Sequence, residues 1–135
     1  MYARFAALGN SSRPPPLRLM AEAPVRLLKG TLDVLILRTL GWGPAHGYAI
    51  SRWIRQSSGD DLQIEEGALY PALRRLEERG WVASRWETAE SGRDARVYEL
   101  TAVGRKAMRS EVAAWQRYVE VFARVLDARP RGSIA

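Results

Sequence analysis

Leucine, isoleucine and valine crowd the stretch TLDVLILRTLGWG from Thr31, and the crowding stops at Gly41 and Gly43. Such density followed by glycine predicts a largely buried helix. After Pro44, AHGYAISRWIRQSSG sets Tyr48, Trp53 and Ile54 near helical spacing, and Ser57, Ser58 and Gly59 close a second helix. Residues 59–65 read as a short acidic connection. In GALYPALRRLEERGWV, Leu69, Leu73 and Leu76 recur at i, i+4 and i+7. They form one apolar stripe of a third helix over 67–79, with Gly80 as its stop. The period then changes from helical to alternating. WVASRW (81–86) and RVYEL (96–100) read as two strands around the polar loop ETAESGRDA, a β-hairpin. Thr101 stands where it can N-cap a final long helix.

Helix, helix, helix, hairpin, helix is the order of a winged helix-turn-helix. The predicted fold is therefore mainly α with a small β-hairpin: a winged helix-turn-helix domain plus a C-terminal dimerisation helix. Residues 24–102 form the expected DNA-binding domain and 103–128 the dimerisation helix. Residues 1–23, with NSS, PPP and no sustained periodicity, are expected to be a disordered extension, because three successive prolines exclude helix. Residues 129–135 are expected to be a disordered tail. Met20 precedes the periodic region and competes with Met1 as the true start.

In this order of elements the third helix enters the major groove and the hairpin, or wing, lies against the phosphates. Tyr70, Arg74, Glu77 and Glu78 point away from the leucine stripe, and Arg75 lies near its boundary. Gly67 and Ala68 are small enough to let the backbone approach a partner. Pro71 removes an amide only where a helix's first turn has spare donors. The expected DNA-facing residues are thus Gly67, Ala68, Tyr70, Arg74 and Arg75, with Arg93 and Arg96 on the wing and Asp94 opposing phosphate between them. The competing reading is a solvated helix face with i,i+4 Arg/Glu pairing and ordinary loop charges.

The last helix carries Met108, Val112, Trp115, Val119, Phe122 and Leu126 at 4-3-4-3-4 spacing, the rhythm of a seam against another helix. Tyr118, Val121 and Val125 widen that face. A second subunit is the simplest cover for so broad a stripe. Packing wholly on the chain's own Thr31–Leu40 helix is the other reading.

Composition narrows the function. Of 135 residues, 47% are hydrophobic and 27% charged, a globular profile. There is no cysteine, which excludes a disulfide framework, a thiol nucleophile and Cys-ligated metal, and suits a reducing cytoplasm. No apolar run reaches the roughly 18 residues of a membrane span, and the N-terminus lacks the apolar core of a secretory signal. The net charge is +6 and the pI about 10.3. Residues 24–102, however, hold 11 basic and 11 acidic side chains, while the excess lies outside, 3 against 1 before them and 7 against 3 after. Bulk charge does not argue for nucleic acid; the placement of single arginines must. His46 is the sole histidine, a poor metal ligand or base, and is expected to pack at a helix start. The acidic pairs 60–61, 65–66 and 77–78 are sequence neighbours that do not face each other as an acid/base dyad. GWGPAHG follows a helix and lacks phosphate-loop spacing. No catalytic constellation, metal site or cofactor is expected, and the chain does not read as an enzyme.

LLKGTLDVLILRTLGWGPAHGYAI, EEGALYPALRRLEERGWV and GRDARVYELTAVGRKAM resemble the PadR family of bacterial transcriptional regulators, over about residues 25–127. LYPALRRLEERGW followed by YELTAVGR carries most of the likeness, and the single C-terminal helix resembles the short-tailed branch. The resemblance implies a homodimeric repressor of promoter DNA that responds to small aromatic or amphipathic molecules. It also implies an effector role for Trp115, where multidrug-binding relatives stack planar ligands, with Val119 one turn on. Ala68 stands where the family usually has Thr or Ser, Asp94 where it has proline or a base, and Val97 where it has tyrosine. The alternative function is a winged-helix module that docks protein without binding DNA.

Overall fold

The computed structural model describes residue 27 and residues 30–134, so the expected 1–23 extension lies outside the described residues. Helix α1 (Thr31–Leu40) is apolar nearly all round and accordingly forms the centre of the domain. It buries Leu32, Val34, Ile36, Leu37 and Leu40 and touches α2 (Gly47–Ser57), α3 (Glu66–Glu78) and the last helix, α4 (Ala102–Asp127). On α2 the buried positions are Gly47, Ile50 and Ile54, one stripe at i, i+3 and i+7. Tyr48 and Trp53, grouped with Ile54 from spacing, are exposed instead. On α3, Leu69, Ala72, Leu73 and Leu76 are all almost fully buried. Leu62 and Ile64 pin the connection between α2 and α3 to the same core.

The predicted third helix thus starts and stops one residue earlier than expected. Its end is firm: Gly80 takes a φ of 76°, and the Trp81 amide turns back to the Leu76 carbonyl at 3.0 Å. The hairpin is longer than predicted. Strands β2 (Val82–Thr88) and β3 (Asp94–Leu100) pair antiparallel from Val82↔Leu100 to Thr88↔Asp94, which shortens the turn to residues 89–93. A third strand, β1 (Ala45–His46), was not foreseen. It pairs with the other edge of β3 through Ala45↔Tyr98 and His46↔Val97, giving the order β1-β3-β2.

Helix α4 begins as predicted. The Thr101 hydroxyl accepts from the Gly104 amide at 2.9 Å and donates to the Gly80 carbonyl at 2.6 Å. Gly104 crosses the chain so closely that an added Cβ would overlap the Trp81 carbonyl. Over its 26 residues, about 39 Å long, Gly104 is the only buried position. Met108 rests by Gly41 at the end of α1, and Val112 and Trp115 are half-covered. Farther on, Val119 is 46%, Phe122 51% and Leu126 69% exposed. The predicted seam therefore divides: its first turns lie on the chain's own α1 and the rest has no cover among the described residues.

Candidate nucleic-acid interface

Strand alternation decides which wing residues face α3. Val82 and Leu100 are paired and point into the core, so Ser84, Trp86, Arg96 and Tyr98, two and four residues along, share their face. Arg85, Glu87 and Glu99 take the opposite face, where Arg85 bridges both carboxylates at 3.1 and 2.9 Å. On the α3 side, Ser84 Oγ donates to Glu77 Oε2 at 2.9 Å and accepts from Arg96 Nε at 2.9 Å, while Arg96 Nη2 lies 3.5 Å from the same Glu77 oxygen. This clamp locks the wing's base to α3. The Arg96 guanidinium also sits 5.7 Å from the centre of the exposed Trp86 ring.

Tyr70, Arg74, Glu77, Glu78, Arg96 and Tyr98 line an open cleft of about 450 Å³ between α3 and the hairpin. Tyr70 is set by a close approach. Its hydroxyl lies where a side chain at Gly47 would come within 2.8 Å, so only glycine at the start of α2 leaves that seat free. His46, the residue before that glycine, is exposed, and its Nδ1 lies 3.3 Å from the Arg96 carbonyl; it joins α2 to the wing rather than only packing at the helix start. Burial raises the Tyr98 phenol above its usual 10.0, partly opposed by the Arg96 guanidinium.

The predicted DNA-facing residues do not share one environment. Gly67, Tyr70 and Arg74 are exposed on the open side of α3, and Arg74 has no ion pair among the described residues. Arg75 turns to the other flank and bonds Asp33 of α1 at 2.9 Å; Ala68 lies exposed on that flank. Arg93 is at the exposed tip of the wing, in a turn closed by the Ala89 amide to the Arg93 carbonyl at 2.8 Å. Asp94 accepts from the Thr88 hydroxyl at 2.7 Å. Tyr98, Glu77 and Glu78 were missed as cleft residues, and Trp86 as the ring beside Arg96. The parity of 82, 84, 86 with 96, 98, 100 was the signal that could have found Trp86 and Tyr98. On α4, Trp115 meets Tyr118 edge-on and Tyr118 stacks on Phe122, each at 5.6 Å, with Val119 alongside. Among the described residues no group of acidic or histidine side chains could hold a metal, and no helix is long and apolar enough to cross a membrane.

Comparison with known proteins points the same way. The model of the transcriptional regulator PadR-like family matches residues 36–110, more than half the chain and the whole of α2, α3 and the hairpin. A transcriptional regulator from Clostridium thermocellum is 30% identical, with a TM-score of 0.64 over 71% of this chain and 90% of that one. A PadR family transcriptional regulator from Eggerthella lenta is 26% identical, with a TM-score of 0.63 over 96% and 100%. An uncharacterized protein of Lysinibacillus sphaericus is 27% identical over 95 residues, 70% of this chain and 87% of its own length.

Proposed function

The chain belongs to the PadR-like family of transcriptional regulators, and from that premise we propose that it represses transcription by binding double-stranded promoter DNA as a homodimer, in the cytoplasm, until a small aromatic or amphipathic effector releases it. The observation that carries the DNA reading is Arg74, an exposed and unpaired guanidinium on the open row of α3, beside a wing whose tip presents Arg93. A helix of this size fits the major groove, and arginine is the commonest reader of guanine there. Tyr70 and Gly67 flank it at the helix's N-terminal end. Arg96 supports the wing from its base and reaches phosphate only by leaving Glu77. Ala68 and Arg75 serve the opposite rim of the contact.

Residues 24–102 act as the DNA-binding domain and 103–128 as the dimerisation helix. Met108 and Val112 anchor that helix, and Val119, Phe122 and Leu126 meet a second copy, since an apolar stripe this exposed needs a partner. The ladder of Trp115, Tyr118 and Phe122 supports a planar effector held beside Val119. No catalysis, metal or cofactor enters the proposal.

One observation favours the second reading, a protein-docking module: the 11 basic side chains of residues 24–102 are balanced by 11 acidic ones, and Arg75, Arg85 and Arg96 are each held by carboxylates, so the domain has no net positive charge. A salt titration separates the two. Binding of the full chain to a fluorescent duplex from its own upstream region should weaken linearly in log–log form as salt rises, because phosphate contacts release counterions. No binding to that duplex at low salt would leave only the docking module.

A further inference from the structure

We propose that Glu78 reads a cytosine in the operator, within two base steps of a guanine read by Arg74; the inference rests on the DNA-binding reading above. Gly67, Pro71, Arg74 and Glu78 follow at i, i+4, i+7 and i+11, a single exposed row opposite the buried leucines. Gly67 and Pro71 offer no side-chain donor or acceptor. Hydrogen-bond readout along this row therefore falls to Arg74 and Glu78. The two carboxylates that end α3 differ in kind. Glu77 is spent on Ser84 and Arg96, whereas Glu78 is exposed and has no hydrogen bond or ion pair among the described residues.

A free carboxylate on a DNA-facing row is in an unfavourable place unless it meets a donor. Duplex DNA carries one negative charge for about every 1.7 Å of axis, so both walls of the groove repel it. The groove floor does not. There cytosine presents its N4 amine, which glutamate accepts from, while arginine bonds guanine O6 and N7. Arg74 and Glu78 are four residues apart, about 6 Å along the helix axis. That is close to two base steps of about 3.4 Å each. The pair should thus select a guanine and a cytosine no more than two steps apart.

The test is selection from a randomised duplex library with the full-length wild type, Glu78→Gln and Glu78→Ala. Wild type should enrich closely spaced guanine and cytosine. In Glu78→Gln the preference at the cytosine alone should move towards adenine, the base glutamine reads in bidentate fashion, by about 5- to 150-fold in discrimination. Glu78→Ala should lose the cytosine preference without gaining another. If all three proteins enrich the same base at every position, with both variants binding all duplexes more tightly, Glu78 is merely a repulsive charge and the inference is overturned while DNA binding stands. If wild type enriches no sequence, sequence-specific DNA binding falls as well, and the inference with it.

Discussion

Arg74→Ala and Arg75→Ala should separate two adjacent arginines that share a charge but not a neighbourhood. Arg74 is free at the cleft, so its loss should weaken promoter binding by about 1–3 kcal/mol. Arg75 is held by Asp33 across the flank, its own side chain 53% exposed and its partner's 17%. Removing it should lower stability by about 0.2–1 kcal/mol, the range of an exposed pair, and weaken DNA binding less than Arg74→Ala does. Fluorescence anisotropy and thermal melts measure the two quantities; a larger affinity loss in Arg75→Ala would reverse the assignment. Tyr98 makes a second prediction at this scale. Burial holds its phenol neutral in the folded chain, above the 10.0 at which it ionises when exposed. Its stabilising share is therefore intact below about pH 10 and is lost as pH rises beyond that value. Melts from pH 8 to 11 should show wild type and Tyr98→Phe running parallel below pH 10, with wild type falling more steeply above. Parallel curves throughout would contradict the burial.

At the scale of elements, the start of α4 is the joint that ties the hairpin to the last helix. Thr101→Ala removes a cap and should destabilise by about 0.5–2 kcal/mol. Gly104→Ala pushes a methyl into the Trp81 carbonyl and should cost about 1–3 kcal/mol through the backbone shift it forces, although alanine is the better helix former. Urea melts test both, and a Gly104→Ala protein as stable as wild type would mean that the crossing is looser than described. Thr101 also illustrates what a sequence discloses. Its cap was legible because capping is a local spacing, as were the helices, whose apolar period is set by the turn of the backbone. Strand β1 was not legible, because two residues, Ala45 and His46, are too few to show any period. The outer hairpin was underestimated because Glu87, Thr88 and Asp94 are solvent-exposed and carry no apolar alternation. The bond from Arg75 to Asp33 spans 42 residues, and no local pattern announces it.

For the whole molecule, the apolar seam of α4 was plain from its spacing, but spacing cannot say what covers it. The structure divides it between α1, which covers the Met108 end, and a stretch from Val119 to Leu126 that stands open in a single chain. Phe122→Glu places a charge in the open part and should turn a dimer into a monomer that binds a two-half-site duplex poorly. Sedimentation at micromolar concentration reads this directly, and a wild type that is itself monomeric there would remove the dimer. The central claim, that the cleft between α3 and the wing receives DNA, is tested most directly by following backbone amide resonances of the full chain during titration with operator duplex. The account predicts that the largest shifts fall on residues 67–78 and 89–94, with little change at Trp42 and Trp53 on the exposed notch at the other end of α1. Shifts centred on that notch or on α4, with α3 and the wing unmoved, would contradict it.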